Sequence, residues 1–138
     1  MKILALSIFL TLLSSSAIGG TVVIVNKSNP VTNLSKDEVR KIFLAKTRRF
    51  DSGVKAQPVD QKKKSDVHKN FYTKVAGKSP RQIHFYWSRL VFTGKGKPPK
   101  SLSDDSSVKA FVAESEGGIG YISEKNVDGT VKVVLKVD

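Results

Sequence analysis

An unbroken β-branched run, Thr21–Asn26, is followed by stretches of helical periodicity that open on cap signals, and then by two further apolar runs at residues 119–122 and 131–137. Strands that alternate with capped helices leave few architectures open, because helices must cover the faces of the sheet the strands form. The first run has no helical period, is short enough for a buried strand, and is broken by Asn29-Pro30. Ser35-Lys36-Asp37-Glu38 then matches a capping box, with Ser35 as N-cap and Glu38 reaching back, while Leu34 can staple onto Val39. Val39, Ile42 and Phe43 fall on one face, so this first helix is expected to run to about Ala45.

The rest of the chain repeats the pattern. A basic turn, Lys46 to Gly53, leads into an expected second strand at residues 54–59, with Pro58 near its end. Ser65 opens a second helix carrying Val67, Phe71, Tyr72 and Val75, which Gly77 closes in a left-handed conformation. Ser79 and Pro80, as N-cap and first helical residue, open a third, in which Ile83, Trp87 and Leu90 recur at helical spacing beside Tyr86 and its aromatics are expected in the core. Residues 94–100 read as a Gly, Lys and Pro loop. Residues 104–114 read as a fourth helix with Val108, Phe111 and Val112 inward, stopped by Gly117 and Gly118; Asp128-Gly129 turns between the last two strands. The expectation is an α/β fold, a mixed sheet flanked by about four helices, without an internal repeat or long linker.

Residues 1–20 carry Lys2, an apolar run over residues 3–13 and a small-residue end, the layout of a secretory signal peptide cleaved after Ala17 or Gly19. The alternative, a membrane anchor, needs about 20 apolar residues, more than this run has. The expected product is therefore a periplasmic or secreted domain of about 120 residues, 21–138, large enough for a modest core. Cysteine is absent, which removes disulfides, zinc–thiolate sites and cysteine nucleophiles. Without Lys2, 23 of the 24 basic residues remain against 12 acidic ones, a formal charge of +11. That bias favours anionic partners by long-range attraction but says nothing of specificity.

Val23 to Asn26, Asn29-Pro30-Val31, Leu34-Ser35 and Val39 to Lys46 come in the order in which phosphate-binding periplasmic proteins of ABC transporters enter their second lobe. Gly117-Gly118-Ile119-Gly120-Tyr121-Ile122 is similar to the glycine-containing strand near the end of that lobe. The segment from Ile83 to Pro99, around Trp87, resembles a short single-lobe branch of these proteins. The resemblance implies one lobe of a periplasmic-binding-protein type II-like fold, a receptor and not an enzyme. It also implies that phosphate, held between two lobes in the family, would be half exposed on one lobe alone, where tight pockets usually bury about 70–90% of a ligand.

In the family an Arg, an Asp and a Ser-Gly-Thr run at a helix start grip the anion. The equivalent segment here is Asp60, Gln61, Lys62, Lys63, Lys64, Ser65 and, one turn into the helix, His68. Ser65 matches the family serine and the helix start offers free N–H groups, but Gly and Thr are not present, and lysines supply point charges where an Arg would give a bidentate fork. The resemblance thus implies phosphate or a phosphorylated small molecule as ligand, with an ABC permease or another envelope protein as partner. The same residues also fit a plain helix cap beside three solvated lysines, with His68 a structural histidine.

A competing expectation is a basic cell-envelope module that docks on an anionic polymer, lipopolysaccharide, anionic lipid or a protein through Arg48, Arg49, Lys95 and Lys97. Nucleic acid fits less well, because the aromatics of the third helix are spaced for burial, whereas single-strand binders expose them for stacking. His68 and His84, the only histidines, stand sixteen apart with no metal-ligand spacing. Asp104-Asp105 reads as a helix start, and no nucleophile triad can be assembled. No cofactor, metal or catalytic residue is expected.

Overall fold

The computed structural model describes residues 20–138. The signal-peptide expectation lies outside these residues save for Gly20. Among the described residues no helix is long and apolar enough to cross a membrane.

Strand β1 (Thr21–Asn26) is buried along its whole length. Its odd and even residues separate as the two-residue period of a strand demands: Val23 and Val25 join one apolar cluster, Val22 and Ile24 the other. An unbroken β-branched run is what a strand covered on both faces requires, and burying each Val or Ile side chain contributes about 1.5–3 kcal/mol. Helix α1 (Lys36–Phe43) starts at the Ser35–Glu38 capping box, both of whose hydrogen bonds form, and ends two residues short of the expected position. Ala45 adopts φ 59°, so the chain turns left-handed there while Lys46 N–H donates to Lys41 O at 2.8 Å.

The second strand differs from its expected range. Residues 54 and 55 belong to a hairpin turn at Gly53, closed by the Arg49–Lys55 bridge, and β2 spans Gln57–Gln61. Pro58 is tolerated because Gln57 N–H makes the bond to Gly117 O, and pairing on the other side begins only at Val59. Helix α2 (Asp66–Phe71) passes into a π-helical turn, Tyr72–Ala76, and Gly77 ends it at φ 63° as expected. Helix α3 (Pro80–Phe92) has the Ser79 cap and Pro80 at its first turn. Of its aromatics, Trp87 is buried and Tyr86 half-buried, but Phe85 and Phe92 are 57% and 92% exposed, which corrects their assignment to the core. They lie on the helix face away from the Ile83–Trp87 stripe.

Lys100, expected at the end of the Gly, Lys and Pro loop, instead starts a short edge strand, β3 (Lys100–Leu102). Helix α4 (Asp105–Glu114) follows with Asp104 as N-cap, then β4 (Gly118–Ser123), a 3-10 turn and β5 (Val131–Lys136). Phe111 is only half-buried; Val108 and Val112 face the core as expected. The sheet order is β3-β2-β4-β1-β5: β2 is parallel to β3 and β4, and β1 is antiparallel to β4 and β5. One face is covered by α1, α2 and α3, the other by α4. Asn26, at the end of β1, donates its amide to Val112 O and Ala113 O at 2.9 and 3.1 Å, satisfying carbonyls at the α4 terminus.

Candidate functional site

In an open α/β sheet, ligands bind outside the carboxyl ends of the parallel strands, where the loops and helix N-termini gather. Here that edge is formed by Gln61 of β2, Leu102 of β3 and Ser123 of β4. After Gln61 the chain exposes Lys62, Lys63 and Lys64 and then caps α2 with Ser65. The Ser65 hydroxyl accepts from His68 N–H at 3.3 Å and donates to Lys62 O at 2.8 Å. The other N–H groups of the first turn are left for solvent or an anion.

Asp60 and Gln61 do not stand on the loop. Asp60 is buried, and it accepts from the Tyr72 hydroxyl at 2.6 Å and from the Tyr121 hydroxyl. The Tyr121 oxygen in turn accepts from Gln61 N–H at 3.1 Å. Burial pushes the Asp60 carboxyl above its usual range against the pull of the two hydroxyls, and burial, aided by the Asp60 charge, raises both tyrosines, so they stay donors. Gln61 Nε2 donates to Asp105 Oδ1 at 2.6 Å and to Tyr121 O at 2.9 Å, clamping β2 to β4 and α4. His68 is 2% exposed, with Nε2 3.9 Å from Asp60 Oδ1. Burial lowers its pKa, Asp60 opposes that, and Lys63 adds to the lowering.

Four of the sequence-derived residues, Asp60, Gln61, Lys63 and His68, line one pocket of about 370 Å³ with Ile83, His84, Trp87, Ser88 and Ser101. Two of these lining residues keep a buried ring nitrogen without a hydrogen-bond partner, His68 Nδ1 and Trp87 Nε1. Ser65 faces a neighbouring cleft of about 500 Å³, with Gln61, Ser103 and Asp104. Sequence reasoning had no means of finding Tyr72 or Tyr121 here: each reads as a core aromatic, and only the fold turns its hydroxyl towards Asp60 of β2.

The basic residues at 48, 49, 95 and 97 do not form one surface. Arg48, Lys95 and Lys97 line a groove of about 570 Å³, joined by Lys55 and Lys100. Arg49 points elsewhere, donating to Gly53 O at 2.9 Å and lining a different pocket beside Asp51 and Glu38.

The described residues form an open mixed sheet with helices on both faces, an α/β fold. No family model matches the sequence. Among solved structures, the chain is similar to a crystal structure with bound phosphate of a protein assigned as a phosphate ABC transporter substrate-binding protein, from Clostridium perfringens (TM-score 0.69, 22% identity, 84% of this chain and 44% of that one). It is similar also to an ABC-type phosphate transport receptor from Vibrio cholerae (0.67, 21%, 84% and 45%) and to PstS from Borrelia burgdorferi (0.60, 13%, 84% and 46%). The chain spans less than half the length of these structures. These likenesses show that the described residues share the fold of one part of these transport receptors.

Proposed function

We propose that this chain is an exported solute-binding lobe that takes phosphate or a phosphorylated small molecule at the carboxyl end of β2 and serves an ABC permease. One observation carries the reading: at the carboxyl end of β2 the fold gathers Gln61, Lys63, His68, His84 and Ser101 around one pocket, with Lys62 and Lys64 exposed on the same loop. Lys62, Lys63 and Lys64 supply the attracting charge and the first turn of α2 further N–H groups. The Asp60 carboxylate, which would repel an anion, is offset by two hydroxyl donors. The likeness to phosphate receptors supports the ligand class, and the charge pattern of residues 1–20 supports export.

A polymer-binding envelope module is less favoured, because the fold sends Arg49 away from the other three cations and breaks the continuous strip a polymer would follow. Calorimetric titration with inorganic phosphate tests the proposal. The expected result is saturable heat that Lys63→Ala combined with Lys64→Ala reduces; no heat at millimolar phosphate, or binding indifferent to both substitutions, overturns it.

A further inference from the structure

The groove of about 570 Å³ on the far side of the Pro98-Pro99 segment has a composition unlike that of a solvated basic face. Its base is apolar, formed by Ile42, Phe43, Ala56 and Trp87. Around it stand Arg48, Lys55, Lys95, Lys97 and Lys100, which reach the site from three separate stretches of chain. Among the described residues none of these five cations is in an ion pair, and no carboxylate lines the groove. One exposed lysine means little, but like charges converging over low-dielectric walls focus the potential and repel one another until an anion enters.

The groove is also built in advance of any ligand. Its lip, residues 94–100, is fastened by Gly94 N–H to Val91 O at 3.1 Å and Lys95 N–H to Leu90 O at 2.9 Å. Gly96 rests on Leu90 and Trp87, a Cβ there coming into ordinary contact at 3.4 Å from Leu90 Cδ2 and 3.9 Å from Trp87 Cζ3, and two prolines stiffen the remainder. Preorganisation of this kind lowers the ordering cost of binding. The volume lies within the ~300–1,000 Å³ of small-molecule sites.

We infer that this groove is a second binding site, distinct from the Lys62–Ser65 loop, for a small amphipathic anion: a carboxylate, sulfonate or phosphate head on a ring or short aliphatic body. A bare inorganic anion would leave the apolar base unused, and an uncharged ring would leave five cations unanswered. The body lies against Trp87, Pro58 and the prolines of the lip, and the head meets the cations of the rim.

Trp87 is the sole tryptophan of the chain and lines this groove, so energy transfer from it reports a dye bound close by, and the substitutions below tell this groove from the pocket on the other side of Trp87. The full chain is titrated with 8-anilinonaphthalene-1-sulfonate and with N-phenyl-1-naphthylamine, which has the same ring body without the charge. One-to-one binding of the sulfonate with transfer from Trp87 is expected, with the neutral analogue binding about tenfold more weakly. Lys95→Ala with Lys97→Ala, and separately Lys55→Ala, should weaken the sulfonate while leaving the circular dichroism spectrum intact, since all three side chains are exposed. Lys62→Ala with Lys64→Ala should not. Equal affinity for the two dyes, absence of transfer from Trp87, or equal loss in all three variants overturns the inference; the last result would mean that only total charge matters.

Discussion

The close approach of α4 to β4 depends on Gly120, and replacing it with alanine probes the fold at the layer that anchors the ligand edge. An added Cβ would lie 2.5 Å from Val108 Cγ1 and 3.2 Å from Val59 Cγ2. Ordinary carbon contacts need about 3.5–4.0 Å, so Val108 and its helix must retreat by about 1 Å. The obstacle is steric and not conformational, because Gly120 is not among the glycines with positive φ. Overpacking of this kind costs about 1–3 kcal/mol. Val108→Ala alone should cost a similar amount through lost burial and a cavity, at about 0.8 kcal/mol per methyl before the cavity is counted. The double variant places the new methyl where the valine branch stood. It should therefore be less destabilised than the two single changes added together, by at least about 1 kcal/mol. Urea denaturation followed by Trp87 fluorescence measures all three. A Gly120→Ala change below about 0.5 kcal/mol, or strict additivity in the double variant, would refute the packing argument.

The polar cluster behind the site makes two further predictions. Tyr121→Phe removes a donor from the buried Asp60 and an acceptor from Gln61 N–H, and should cost about 1–3 kcal/mol in denaturant melts; a smaller loss than from Phe71→Leu, which cuts the stacked ring 4.0 Å away but no hydrogen bond, would argue that the hydroxyl matters little. The pKa of His68 is lowered in the fold, so the unfolded chain binds its proton first. Its contribution is complete above the unfolded value of about 6.5 and is lost as pH falls through the folded value. Asp60, raised by burial, acts with the opposite sign, adding stability as it is protonated at lower pH. Stability should accordingly decline from pH 7.5 towards pH 5.5 in the parent chain, and His68→Gln should flatten that slope; an unchanged slope contradicts the assignment.

The sequence revealed most where local chemistry decides structure. All three serine caps, the left-handed Gly77, the buried β1 and the glycine-bearing β4 were legible because each depends on a few adjacent residues. What was illegible depended on partners distant in the chain. β3 is a three-residue edge strand with no alternation of its own, formed because β2 offers Val59, Asp60 and Gln61 for pairing. Asp60 looks like a loop-side ligand in sequence, yet the fold buries it under hydroxyls sixty-one and twelve residues away. Lys55 and Lys100 give no sign that they share a groove with Arg48, and Arg49 none that it leaves it. Phe85 and Phe92 show the reverse error: an aromatic-rich helix was read as core although only one stripe of it meets the sheet.

The most direct test of the phosphate reading uses the chain's single indole N–H. In an amide-correlated NMR titration with inorganic phosphate, the Trp87 indole resonance and the amides of residues 62–68 should move together and fit one dissociation constant. Resonances that stay still at millimolar phosphate, or shifts confined to Arg48, Lys95 and Lys97, would contradict the assignment of the anion to the carboxyl end of β2.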